Sequence, residues 1–264
     1  MSTVKATNIQ EPNSATVNLV LNTSGAVAVG QNLSVAGTTT LTGSLASTLN
    51  LVAGTTTVAP LDFATGTNLT TAIAGGMEYD GKVFYGTPQS TQRGVIPGMQ
   101  FFQVNSSIAG ANVATAQSVF GVSVTLSAST VYAFEAIYYL NKTAGATSHT
   151  IGFGFGGTAT INSTFWNAIG FDTQTAIPLR STGIQMVVSN SLANITWAGG
   201  NAAAAVSAFA NVKGTVSING GGTFTPQYTL SAAPGGAYST MANSYFLIYP
   251  IGASGSNVNV GTWA

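Results

Sequence analysis

Few side chains in this sequence can trade protons near neutral pH. They are Glu11, Asp62, Glu78, Asp80, Glu135, Asp172 and one imidazole, His149. Glycoside cleavage needs two carboxyl groups held about 5–9 Å apart across a sugar. Glu78 and Asp80 form the only close pair, two residues apart and so on one face of a strand. Each also has a structural reading. Asp80-Gly81 is a hairpin-turn signal, and Glu78 fits the edge of the strand before it. Acids gathered across a subunit interface are the other route to such chemistry. A zinc site takes several converging imidazoles or thiolates. With one histidine and no cysteine, His149 reads as a surface or loop residue, unless a three-fold axis gathers three copies of it. No G-x-S-x-G, P-loop or H-E-x-x-H pattern occurs. GFGFGG (152–157) lacks the Lys-Ser/Thr and helix of a phosphate loop, and its alternating Phe reads as a strand. No catalytic residue, cofactor or metal is expected.

Carbohydrate recognition asks for less: aromatic platforms with neutral hydrogen-bonding neighbours. Trp166 beside Asn167, and Trp197 before AGGN, are candidate receptor contacts, with core or inter-subunit packing as their other reading. Arg93 in TQRGVIP is a candidate rim or inter-subunit hydrogen-bonding residue, and Trp263 reads as an anchor for the last residues.

The elements that would position these groups come from an unusual composition. The 264 residues hold six Lys/Arg and six Asp/Glu, a charged fraction of 5% against about a quarter in ordinary globular proteins. Solubility must rest on Ser, Thr and Asn. The few basic residues are scattered, which argues against nucleic acid as a partner. Neither a basic amphipathic helix nor an apolar run near the roughly 20 residues of a membrane span is present in the sequence, so no membrane insertion is expected. The first residues lack a signal-peptide pattern. Without cysteine, stability must come from β packing and oligomer burial.

Residues 1–16 are polar and read as a flexible or docking arm. From 17 to 76 the pattern is a repetitive β stalk and collar. Its centre is Val29–Val58, where AGTTT begins at Ala36 and again at Ala53. Each unit has too few apolar residues to bury a face alone, and ordering costs roughly 1–2 kcal/mol per residue, so a homo-oligomeric stalk intertwined with copies of itself is expected. TNLTTAIAGG (67–76) reads as a helical or collar segment ending in a Gly-Gly hinge. From 77 to 264 short strands and Gly/Pro turns predict a β-sandwich, jelly-roll-like head. TVYAFEAIYYLNK should turn Tyr132, Phe134, Ala136 and Tyr138 to one side, with Glu135 and Ile137 on the other. HTIGFGFGG should set large rings against a bare glycine face, or mark a close approach by a neighbouring chain. TQRGVIPG reads as a loop, INSTFWNAIGFDTQTAIP as irregular with a long loop, and NAAAAVSAF as the start of a strand.

MEYDGKVFYGTPQSTQRGVIP, IAGANVATAQSVFG, VTLSASTVYAFEAIYYL and LSAAPGGAYSTMANSYFLIYPIG resemble the C-terminal domains of tailed-phage virion structural proteins of the fibre or appendage type. NLSVAGTTTLTG resembles the short repeats of phage fibre shafts. The resemblance covers most of residues 29–264. It implies a virion protein, a trimer docked on the capsid, neck or tail through its N-terminal end, with the head projecting outward. It brings no catalytic motif. The short shaft suits a stubby spike or capsid-bound fibre. The expected function is structural, with attachment to a host-surface glycan as a secondary role. A glycan-directed depolymerase and a capsid decoration protein are the alternatives.

Overall fold

A computed structural model of the chain describes residues 53–173, 183–255, 257–261 and 263, together with three short strands nearer the N-terminus. The chain divides into two compact units, Met1–Asp62 and Phe63–Ala264. In the first, β1 (Asn8–Ile9), β2 (Leu19–Leu21) and β3 (Val27–Ala28) pair antiparallel with β2 in the middle. β1 falls in the stretch expected to be an arm. The repeats between 29 and 52 lie outside the described residues.

The second unit opens with a small sheet of β4 (Met77–Tyr79), β5 (Phe84–Gly86) and β6 (Gly94–Ile96). Asp80-Gly81 forms the expected turn: Asp80 Oδ1 accepts the N–H groups of Lys82 and Val83, both at 2.8 Å, and Gly81 has φ +87°. The stretch 67–76 contains no helix. It lies along this sheet, with Gly75 N–H on Thr87 O at 2.7 Å and Thr87 N–H on Gly76 O at 3.0 Å. Its threonines favour such extended backbone over a helix. The TQRGVIPG loop reading also needs correction, because Gly94–Ile96 completes the sheet by pairing with β5.

The remaining strands are β7 (Gln100–Gln103), β8 (Ile108–Ala109), β9 (Gln117–Ser118), β10 (Val124–Leu126), β11 (Thr130–Lys142), β12 (His149–Gly156), β13 (Thr160–Thr173), β14 (Gln185–Ser189), β15 (Ile195–Asn201), β16 (Val206–Gly220), β17 (Gly222–Leu230), β18 (Ser239–Thr240) and β19 (Tyr245–Ala253). They form two layers. The larger runs β14-β13-β16-β11, then continues as β19-β7 beside one half of β11 and β18-β8 beside the other. The smaller sets β9 and β10 on β17, followed by β12 and β15. The whole is all-β, as expected.

Side-chain alternation explains the layering. Tyr132, Phe134, Ala136 and Tyr138 are buried, while Glu135 and Ile137 face outward. Phe134 meets Phe155 and Phe224 of the opposite layer, with ring centroids 5.1 and 6.0 Å away. Burying such a ring contributes on the order of 2 kcal/mol. On β12 Gly152 and Gly154 are covered by residues 192–195 of the same chain, where β14 leads into β15. A Cβ on Gly154 would lie 2.7 Å from Asn194 Cα, and one on Gly152 would lie 3.0 Å from Ile195 O. The irregular reading of 161–178 is overturned for its first part. β13 is a continuous 14-residue strand, hidden in the sequence because its inward positions are Thr164, Trp166, Ala168 and Gly170. Strand β16 begins at Val206, within the NAAAAVSAF stretch. Pro250 lies where β19 slips register against β11, a position that does not require its missing N–H.

One core hydroxyl lacks a partner. Tyr138 OH is buried with no hydrogen bond, and burial pushes its ionisation far upward. An unsatisfied buried hydroxyl costs roughly 1–3 kcal/mol. Tyr138→Phe should therefore leave stability unchanged or raise it by about 1 kcal/mol, read as a melting temperature no lower than that of the parent. A drop of several degrees would mean that the hydroxyl has a role.

Candidate functional site

The chemistry-bearing groups are mostly committed to holding the fold. Glu78 accepts Leu69 N–H through Oε1 at 2.6 Å and Arg93 Nε through Oε2 at 2.7 Å. Arg93 Nη2 adds Glu78 Oε1 at 3.1 Å and Leu69 O at 2.6 Å. This bracket straps the segment before β4 to the residue before β6. The Leu69 N–H, followed by Arg93 and working against burial, holds the Glu78 carboxyl below its ordinary range. Burial pushes the Asp80 carboxyl up, but Val83 and Lys82 N–H and the Tyr85 hydroxyl at 2.9 Å outweigh it and bring it down. Both carboxyls bind protons more weakly folded than unfolded. Stability should then be fully present above the usual carboxylate range and be lost as pH falls below about 4. Thermal unfolding against pH should show this fall, and Asp80→Asn should flatten it. An equally steep fall in that variant would remove Asp80 from the account.

His149 corrects its surface reading. It is buried on β12, with Nδ1 2.7 Å from Thr147 O and Nε2 2.8 Å from Tyr238 OH. Nδ1–H donates to the carbonyl and Nε2 bonds the Tyr238 hydroxyl, so both ring nitrogens are engaged within the chain. Lys142 ends β11 with 1% exposure, its Nζ donating to Gly145 O and Ala203 O at 2.6 Å, Ala204 O at 3.2 Å and Ala144 O at 3.4 Å. The sequence reading missed this clamp; a Lys at an inward position of the β11 alternation was its only signal.

Trp166 and Trp197 are core side chains. Trp166 has no exposed surface, donates Nε1–H to Ser191 O at 2.8 Å and meets Phe155 edge-on. Trp197 is buried against Phe153. Neither ring presents a face to a ligand. Asn167, on the opposite side of β13, does reach the surface. Arg93 borders a polar cleft of about 350 Å³ whose walls include Asn68, Thr71, Asn259 and Gly261, so the start and end of the second unit share one recess. Trp263 is 78% exposed beside Arg93 and Gln92.

The uncommitted surface is the outer face of the larger layer. Its register aligns Val188, Asn167, Lys213, Glu135, Leu247 and Phe101 in one row over six strands, about 24 Å at 4.8 Å per strand. The next row runs Met186, Ile169, Asn211, Ile137, Tyr245 and Gln103. Lys213 and Glu135 pair at 3.3 Å in the centre and are the only charges in these two rows. Between Phe165 and Tyr249 a shallow trough of about 290 Å³ has Asn167, Glu135, Lys213 and Thr215 on its floor.

Both edges of this face are apolar. At one, Phe165, Ile169, Met186 and Val188 are exposed on β13 and β14. At the other, β7 pairs among the described residues only with β19, and all four of its residues, QFFQ, are exposed. Beside β7 a cleft of about 310 Å³ opens between the layers, lined by Phe102, Phe120, Val122, Pro226 and Phe246. The sequence reading named Asn167 and Arg93 but missed these two edges, although FF and MVV in uncharged strands were visible. Against known proteins, the chain matches no protein-family model and no curated protein.

Proposed function

We propose that this chain is a non-enzymatic structural protein of a tailed-phage virion, a trimeric fibre or spike on the capsid or tail. Residues 77–264 are its β-sandwich, jelly-roll-like head, and its N-terminal region docks on other virion proteins. The observation that carries the reading is the outer face of the larger layer, nearly free of charge and apolar along both edges. Such a surface suits burial against further copies rather than permanent contact with water. The resemblance in 77–264 gives those copies a setting. Host attachment is the secondary role, by multivalent display of neutral surface rather than turnover. The engagement of Glu78 and Asp80 in the fold supports a non-enzymatic reading over the depolymerase alternative. The test is a cryo-EM reconstruction of intact particles carrying the protein. Three-fold density fitted by the two-layer head is expected; particles without it, or with the chain as single copies, would sink the proposal.

A further inference from the structure

We infer that the head makes its own contact between copies, head to tail, with the β14 edge of one copy set against the β7 edge of the next. The partner is therefore a second copy of this chain. Three observations carry this.

Both are edge strands without the protection such strands normally have. Gln100–Gln103 and Gln185–Ser189 contain no charge and no proline, the devices that usually discourage strand addition. Among the described residues each pairs on one side only, β7 with β19 and β14 with β13.

The side chains at the two edges also match in kind. Met186 is 63% exposed, Phe165 58% and Phe101 53%, and Ile169, Val188, Met99, Phe102 and Val122 are exposed too. At about 200 Å² for a fully exposed large side chain, a contact using both edges would bury on the order of 800 Å² of apolar surface. With the usual apolar share near 60%, this corresponds to roughly 1,300 Å² in total, within the range of stable specific interfaces.

The charges add no barrier. Among the described residues the face has one Lys213–Glu135 pair, internally compensated and away from both edges, so no like charges of these strands meet when copies approach. Because the two edges differ, the contact is heterologous and closes only as a ring. That the ring has three members rests on the trimeric reading above; the edge-to-edge contact does not.

The chain has no cysteine, so introduced thiols report without background. The test uses the full chain as Met186→Cys, as Phe101→Cys, and as the double variant, each treated with a short bismaleimide. Both positions are exposed, and unchanged melting temperatures would verify folding. If Met186→Cys lowers stability, Val188→Cys replaces it, and if Phe101→Cys does, Gln103→Cys on the same face of β7 replaces it. The double variant should form covalent dimers and trimers, while each single variant stays monomeric on a denaturing gel. Failure of the double variant to crosslink overturns the proposal. So does crosslinking of a single variant with itself, which would show a two-fold contact, and so does a ladder without an upper limit, which would show an open filament. A ladder that stops at another number keeps the edge contact and refutes the trimer instead.

Discussion

Trp166→Ala should lower stability by about 4 kcal/mol, the range for removing a buried aromatic side chain. In a unit of this size that is a fall in melting temperature on the order of 10 °C. The indole is fully enclosed, packs edge-on against Phe155 at 5.3 Å and supplies a hydrogen bond to Ser191 O. Its loss leaves a cavity and a weakened tie between β13 and the segment after β14. Trp166→Phe should recover most of the packing and cost about 1–2 kcal/mol, chiefly through the missing N–H. Calorimetry on the two variants checks the order. If Trp166→Ala kept its melting temperature and lost host adsorption, the ring would be a surface contact after all.

Lys142→Met comes next, with an expected loss of about 3 kcal/mol. Methionine fills similar volume but leaves four carbonyls, those of Ala144, Gly145, Ala203 and Ala204, without the ammonium that gathers them. Each charge-assisted bond is worth more than a neutral one, and the four tie the β11–β12 connection to the β15–β16 connection. Lys142→Arg should not rescue the loss, because a planar guanidinium cannot point its donors at carbonyls arranged around a single point. Amide hydrogen exchange in 143–148 and 202–205 should speed up in both variants while the β11–β16 ladder stays protected. Unchanged exchange there would show that the loops do not depend on the clamp.

Legibility in the sequence followed side-chain size. On β11 large residues occupy nearly every inward position, and the strand, its faces and the outward Glu135 could all be read in advance. On β13 the inward set is Thr, Trp, Ala and Gly. No period shows because the neighbouring β16 and the opposite rings provide the bulk. The glycines of β12 left open a bare face under large rings or an approach by a neighbouring chain, and only the fold could show that the approaching backbone is 192–195 of the same chain. Tryptophan stayed open for a related reason. Its area suits a platform or a core equally, and composition does not decide between them. The Arg93–Glu78 bracket spans 15 residues across a turn and a strand, a separation with no periodic signature. The edges were missed because apolar residues on both faces of a short strand resemble a buried strand until its neighbours are counted.

The shared recess of Asn68, Thr71, Asn259 and Gly261 has a topological consequence. Ser254 N–H reaches Ser129 O at 3.0 Å and Lys82 Nζ reaches Ala128 O at 3.2 Å, so the small sheet and the last strand meet at the Thr130 end of β11. The Lys142 clamp lies at the other end, about 40 Å along the strand. The second unit is therefore almost a closed loop of chain, with its two ends at one pole. A circular permutant that bridges those ends with a short linker, and is cut in a turn at the far pole, would retain every ladder while reversing which pole carries the termini. A tag carried by that permutant would leave from the clamp pole rather than from beside Asn68 and Gly261.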